Sequence, residues 1–203
     1  MTTKLKSSIH GFTHVELTTV ALVLGLLCAL VLASRPSSQE RSKRIRCTSN
    51  LTTIGLSFKT WALDNGDRFP METYAEQGSP EVFRYFQMMS KSLANPKILI
   101  CPSDVREPAE DIANGFSNSN LSYFVALDAH STNPNMFLLG DRNLTNGPLP
   151  PNRILVLNTN FPMDWTAEMH HYQGNIVLSD GSVQQFSARA LSTALHANRL
   201  AMP

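Results

Sequence analysis

Gly11-Phe12-Thr13-His14-Val15-Glu16-Leu17, running on into an apolar stretch from Val20 to Ala33, is the segment on which the reading of the whole chain turns. A basic leader carrying Lys4 and Lys6 comes before it, and one carboxylate, Glu16, stands near the head of an otherwise membrane-seeking run. From Val15 to Ala33 that run is 19 residues long. At about 1.5 Å of helix per residue it just covers a hydrocarbon core of roughly 30 Å, so it crosses once. An ionised group in such a segment costs about 2.5–3.5 kcal/mol on insertion scales and therefore marks a partner or a function. Thr18 and Thr19 can return their hydroxyls to the carbonyls of His14 and Val15, which offsets their polarity. Ala21, Gly25 and Ala29 recur at four-residue spacing. They form either a small-residue face on which helices approach closely or a lipid-facing surface with incidental small residues.

This combination resembles the processing site of the type IV prepilin superfamily, the pilins and the pseudopilins of type II secretion. The resemblance implies cleavage by a prepilin peptidase between Gly11 and Phe12, N-methylation of Phe12, and a role in assembly for Glu16. The partner of Glu16 would be the amine freed at Phe12 of a neighbouring subunit, which exists only after the leader is cut. His14 stands where the superfamily usually has an aliphatic residue. Orientation by charge alone points the other way from the resemblance: Arg35, Arg41, Lys43, Arg44 and Arg46 follow the span and would hold the following domain in the cytoplasm. Two plainer readings stay open. Val31-Leu32-Ala33 matches a small-residue signal-peptidase site, and an uncleaved single-span anchor would place Glu16 at the interface.

With 203 residues, 42% of them hydrophobic and 16% charged, the chain has room for one anchor and one globular domain of ordinary size. The resemblance implies a leader over 1–11, a transmembrane and assembly helix over 12–33, an amphipathic continuation over 34–66 and a periplasmic domain over 67–203. The formal charge is +1, and loss of Lys4 and Lys6 leaves 15 basic against 16 acidic residues, a poor balance for nucleic-acid binding. The basic cluster from Arg41 to Arg46 is juxtamembrane, where it forms a solvated helix face or meets lipid headgroups. Cys28 lies in the span, which leaves Cys47 and Cys101 as the pair for a disulfide in an oxidising compartment; the alternative is two unpaired thiols.

Pro36, with serines at 34, 37 and 38, predicts a kink or break where the chain leaves the membrane. Beyond it Cys47, Leu51, Ile54, Phe58 and Trp61 make one apolar helical stripe, which Asn65-Gly66-Asp67 ends. Ser79-Pro80-Glu81 starts a helix whose buried face is Val82, Phe86, Met89 and Leu93. Strands are predicted at 97–100, 122–127, 136–139 and 154–157, with a polar loop over 107–120. A hairpin follows, 175–179 and 182–186 about an Asp180-Gly181 turn, pairing Leu178 with Val183 and Val177 with Gln184. A closing helix from Ser187 would bury Leu191 and Leu195.

Cys101-Pro102-Ser103-Asp104, Gly140-Asp141-Arg142, and His170 followed after nine residues by Asp180-Gly181 resemble the carboxy-terminal signature of a subgroup of bacterial prepilin-like proteins. That resemblance implies an α+β, pilin-like fold, a long amino-terminal helix packed on an antiparallel sheet. His170 is expected to hydrogen-bond the turn carboxylate of Asp180, and His170 and His171, in a strand, to point to opposite faces and so not share a metal. Asp128, Asp141 and Asp180 are the oxygens a calcium ion would use, without a dense acidic loop to gather them, and no other cofactor is expected. Nucleophile-elbow, Walker and dinucleotide patterns are absent from the sequence, so the reading is not an enzyme. The function expected is a pseudopilin or pilin-like subunit of a secretion or pilus fibre, single-pass in the bacterial inner membrane. Its partners would be the prepilin peptidase, other copies or related subunits, the assembly platform and lipid. The alternative is a membrane-tethered periplasmic binding module that does not polymerise, with a periplasmic enzyme third.

Overall fold

The computed structural model describes residues 13–74, 81–93, 95–145, 147–148, 153–156, 163–194 and 199–202. The predicted Gly11–Phe12 junction, Ser79–Pro80 and Leu195 lie outside the described residues. The chain divides into two compact units, residues 1–41 and 42–203, and helix α1 (His14–Asp64) contributes to both.

In the first unit α1 starts at a reciprocal cap. The Thr13 N–H and hydroxyl donate to Glu16 Oε2 at 2.9 and 3.0 Å, and the Glu16 N–H reaches Thr13 Oγ1 at 3.4 Å. The hydroxyls of Thr18 and Thr19 bond Val15 O and Glu16 O, three residues back rather than the four expected. His14–Leu32 is long and apolar enough to cross a membrane and none of it is buried, a length and composition that a membrane span and a signal sequence share. The helix runs unbroken through Pro36 rather than stopping there. A proline forfeits one backbone hydrogen bond, and the good helix formers beyond the serines, Gln39, Glu40 and Arg41 on one side and Leu30, Leu32 and Ala33 on the other, carry the remaining turns.

The second unit is α+β. The predicted stripe on α1 is its spine: Cys47, Leu51, Ile54 and Phe58 are fully buried, and Trp61 is partly so. The helix stops where the Asn65 and Asp67 N–H groups both turn back to Ala62 O. Phe58 packs edge-on against Phe69 and Phe86, which ties in α2 (Pro70–Thr73) and α3 (Val82–Met88). On α3 and just beyond it Val82, Phe86, Met89 and Leu93 are buried as predicted.

The strands are β1 (Tyr123–Ala126), β2 (Phe137–Asp141), β3 (Leu144–Thr145), β4 (Ile154–Val156), β5 (Asp164–Trp165), β6 (Gln173–Leu178), β7 (Val183–Ser187) and, after helix α4 (Ala188–Ala194), β8 (Arg199–Ala201). Six form an antiparallel sheet in the order β4-β8-β1-β2-β6-β7, and β3 with β5 forms a separate ribbon. Leu191 on α4 is buried, as expected of a closing helix.

Two predictions need correction. Residues 97–100 are not a strand: Pro96–Leu99 is a 3₁₀ turn, closed by the Lys97 N–H donating to Asn95 Oδ1 at 2.9 Å. The hairpin register is shifted by one, with Val177 opposite Val183 and Ile176 opposite Gln184. The Gly181 N–H bonds Leu178 O, the Leu178 N–H bonds Ser182 O, and Gly181 has φ +90°. The loop therefore has three residues and ends in a glycine bulge, where a two-residue turn was expected.

β2 and β6 present alternate residues to α1. Gln173 accepts from Arg44, Asn175 donates to Asp141, and Val177 lies under Gly55. A Cβ added at Gly55 would stand 2.7 Å from Val177 Cγ1, so glycine is what lets helix and sheet come this close.

Candidate functional site

The register that pairs Tyr123 with Asp141 and Gly140 with Ile176 sets Tyr123, Asp141 and Asn175 in a row across β1, β2 and β6. Above that row α1 lowers Cys47, whose Sγ lies 3.2 Å from Asp141 Oδ1 and 3.7 Å from Tyr123 Oη. Cys101 comes in after the 3₁₀ turn, held by the Asn50 side chain donating to Ile100 O at 3.1 Å. His170 comes from the turn before β6. Its carbonyl accepts from Arg44 Nη2 at 2.7 Å, while Arg44 Nη1 holds Gln173 Oε1 at 2.8 Å. His171 and Tyr172, the next two residues, have φ of +50° and +60°. Left-handed backbone at non-glycine residues costs on the order of 1–3 kcal/mol each, and these bonds offset it.

Four segments thus bring two thiols, a carboxylate and an imidazole together, with Cys47 Sγ, Cys101 Sγ, an Asp141 oxygen and a His170 ring nitrogen all within 4.8 Å of one another. His170 Nε2 is 3.3 Å from Cys101 Sγ and 3.4 Å from Asp141 Oδ2. The same Asp141 oxygen accepts the Asn175 backbone and side-chain N–H groups, each at 2.8 Å. All four residues are buried, and His170 Nδ1 has no hydrogen-bond partner among the described residues.

Protons divide unevenly over this cluster. The hydrogen bond from Cys47 pulls the Cys101 thiol down, to about 6, against burial and with help from His170. That bond, with burial and the Asp141 charge, pushes the Cys47 thiol up. Burial also raises the Asp141 carboxyl against the pull of His170 and the Asn175 donors. Burial alone would lower His170; the Cys101 hydrogen bond and the Asp141 charge outweigh it and raise the imidazole. In chemical terms the set can close a disulfide, hold a proton between thiol and imidazole, or coordinate a cation.

The signature motifs meet here. Cys101 and Asp141 enter the cluster, and the residues that follow them, Asp104 and Arg142, form the ion pair beside it. Asp104 is partly buried, with its side chain fully covered. Arg142 Nε and Nη2 donate to its two oxygens at 2.7 Å each, Ser122 Oγ donates at 2.8 Å, and Arg142 Nη1 reaches Glu168 at 2.8 Å. Arg106 donates to the carbonyls of Asn118 and Leu121.

The predicted contact between His170 and Asp180 is replaced. Asp180 caps its own turn, accepting the Ser182 N–H at 2.8 Å, at the other end of β6 from His170. The nine-residue gap is the length of one strand with its flanks. His170 and His171 sit in a turn and not in a strand. The calcium candidates do not assemble: Asp141 is buried in the cluster, Asp128 follows β1, and Asp180 is exposed on the hairpin. Cys47 and Cys101 are neighbouring free thiols, and Cys28 is exposed on the apolar helix. The grouping of Cys47 with Asp141 and His170 escaped sequence reading, which had Cys47 as one residue of a core stripe and as a disulfide partner for Cys101. The cap of Thr13 on Glu16 did carry a sequence signal, Thr-x-x-Glu ahead of an apolar run.

Compared with known protein families, characterised proteins and solved structures, the chain finds no match. What the fold and the site define is an α+β domain with a buried Cys₂-Asp-His cluster, preceded by one apolar amino-terminal helix.

Proposed function

We propose that this chain is a pilin-like assembly subunit, anchored in the bacterial inner membrane by His14–Leu32, with its α+β domain on the periplasmic side. The observation that carries the reading is a helix that is apolar, wholly exposed along the 19 residues from His14 to Leu32, and headed by a single carboxylate. Surface of that kind needs lipid or other copies of itself to cover it. In this reading a prepilin peptidase cuts after Gly11, Phe12 is methylated, and its ammonium pairs with Glu16 of a neighbour in a type II secretion or pilus-type fibre.

One observation favours a second reading, a tethered module that does not polymerise: Thr13 satisfies Glu16 within its own chain. Mass analysis of the amino terminus from native membranes, together with incorporation of Glu16→Ala into fibres, separates the two. The assembly reading requires methylated Phe12 and a variant that is cut but not incorporated. An intact leader, or normal incorporation of the variant, overturns it.

A further inference from the structure

We propose that Cys47, Cys101, Asp141 and His170 hold a zinc ion in a closed structural site. Tetrahedral zinc binds sulfur at about 2.3 Å, nitrogen at about 2.0–2.1 Å and oxygen at about 2.0–2.2 Å, which sets donors on neighbouring corners roughly 3.4–3.8 Å apart. The observed separations are 3.2 Å from Cys47 Sγ to Asp141 Oδ1, 3.3 Å from Cys101 Sγ to His170 Nε2 and 3.4 Å from His170 Nε2 to the other carboxylate oxygen, Asp141 Oδ2. The remaining separations are no more than 4.8 Å.

Donor chemistry selects the ion. Two sulfurs and an imidazole suit a borderline-soft cation in tetrahedral geometry, while calcium and magnesium want more oxygens than one carboxylate supplies. A Cys47–Cys101 disulfide is the rival occupant of the same space. It leaves unexplained why a carboxylate and an imidazole are buried against the two sulfurs. Burying an acid at such a place costs several kcal/mol unless it is compensated; the Cys47 and Asn175 donors compensate Asp141 in part, and a divalent ion supplies the rest.

Two outer contacts fit, while His170 Nδ1 has no partner among the described residues. Asn175 orients Asp141 through two hydrogen bonds, and Arg44 fixes the His170 turn through its carbonyl. Outer contacts of this kind are what hold metal ligands in place. All four donors come from the protein and all are buried, which is the arrangement of a structural rather than a catalytic zinc. Bound there, zinc joins α1, the 101–104 turn, the end of β2 and the turn before β6. Folding of the domain is then coupled to metal loading. None of this depends on the membrane reading.

The test uses the full-length protein, purified in detergent from its native cells under anaerobic, chelator-free conditions, with a separate portion alkylated at lysis to trap the thiol state. Elemental analysis should find one zinc per chain. Cobalt exchanged into the wild-type protein should show tetrahedral ligand-field bands with thiolate-to-cobalt charge transfer. Cys101→Ser and His170→Ala should lose most of the metal, while Asp180→Asn, outside the cluster, keeps it. The wild-type cobalt spectrum reads the site even where a variant does not fold. A Cys47–Cys101 disulfide in the trapped protein overturns the proposal. So do free thiols with no metal that take up neither added zinc nor cobalt, and so does full metal retention in both folded ligand variants.

Discussion

Replacing Arg142 with methionine removes the charge opposite Asp104 while keeping most of the side-chain volume. In the native protein the Asp104 carboxylate, whose side chain is fully covered, takes two bonds from Arg142 at 2.7 Å, one from Ser122 at 2.8 Å and backbone N–H groups of Val105 and Arg106 at 2.7 and 3.3 Å. Breaking a buried pair from one side costs about 3–5 kcal/mol. The hydroxyl and two amides that stay behind place Arg142→Met near the lower end, about 3 kcal/mol. The Glu168 arm adds little, under about 1 kcal/mol, because that carboxylate is largely exposed.

Acid discriminates this account from simple loss of packing. Burial on its own would raise the Asp104 carboxyl, but the hydrogen bonds from Arg142 and Ser122, with the Arg142 charge, outweigh it and hold the group below the usual carboxylate range. A depressed folded-state value stabilises the protein above the unfolded value, about 3.9, and that contribution fades as pH falls through the folded value. Without Arg142 burial prevails, the carboxyl moves up, and the variant gains by taking a proton as pH falls from neutral to about 5. Urea unfolding in detergent, followed by Trp165 and Trp61 fluorescence, should show a large gap between wild type and variant at neutral pH that narrows on acidification. Adding Asp104→Asn to Arg142→Met should restore part of the loss. A gap under about 1 kcal/mol, or one that stays constant or widens with acid, refutes the reasoning.

Gly55→Ala gains about 1 kcal/mol of helix propensity yet drives a methyl to 2.7 Å from Val177 Cγ1; the overpacking costs about 1–3 kcal/mol, so unfolding should show a net loss, with Gly25→Ala, which meets nothing within 4 Å, as the clash-free comparison that should show none. Leu51→Ala empties a fully buried position on the α1 stripe and should cost about 2–5 kcal/mol in the same assay. Thr13→Ala removes the hydroxyl that bonds Glu16 and should leave peptidase processing intact, read as an unchanged mature mass, because the cap is a local helix-end contact.

Features of short sequence range were legible in the sequence. The α1 stripe from Cys47 to Phe58, the stop at Asn65–Asp67, the buried face of α3 and the existence of the last hairpin each follow from periodicity or turn chemistry within about a dozen residues. Lys97–Ile100 misled because a short apolar run does not distinguish a strand from a tight turn, and the bond to Asn95 decided it. The hairpin register turned on which residue takes the bulge. β8 reaches its place between β4 and β1 from beyond α4, and nothing local in Arg199–Ala201 signals that return. The Cys₂-Asp-His cluster was hidden for the same reason. Its members are separated by 54, 40 and 29 positions, and only the sheet order β1-β2-β6 beneath α1 brings them together.

That order also explains the spacing from His170 to Asp180-Gly181. Between them runs β6, whose residues alternate strictly between the face under α1 and the face turned away. Gln173, Asn175 and Val177 meet Arg44, Asp141 and Gly55 in turn, while Gly174 lies against the Trp165 ring. At the far end Gly181 comes close to Lys59 on α1, whose amine donates to Ser179 O at 3.3 Å. The histidine and the glycine therefore fix two ends of one strand against one helix. An alanine inserted after Gly174 reverses every later residue of β6, turning Asn175 away from Asp141 and Val177 away from Gly55. An alanine inserted between Asp180 and Gly181 lengthens an exposed turn, which costs only about 1 kcal/mol or less. The strand insertion should expose Cys47 and Cys101 to rapid alkylation and abolish cooperative unfolding, and the turn insertion should leave both thiols protected. Equal protection in the two proteins would mean that the motif is not set by the strand.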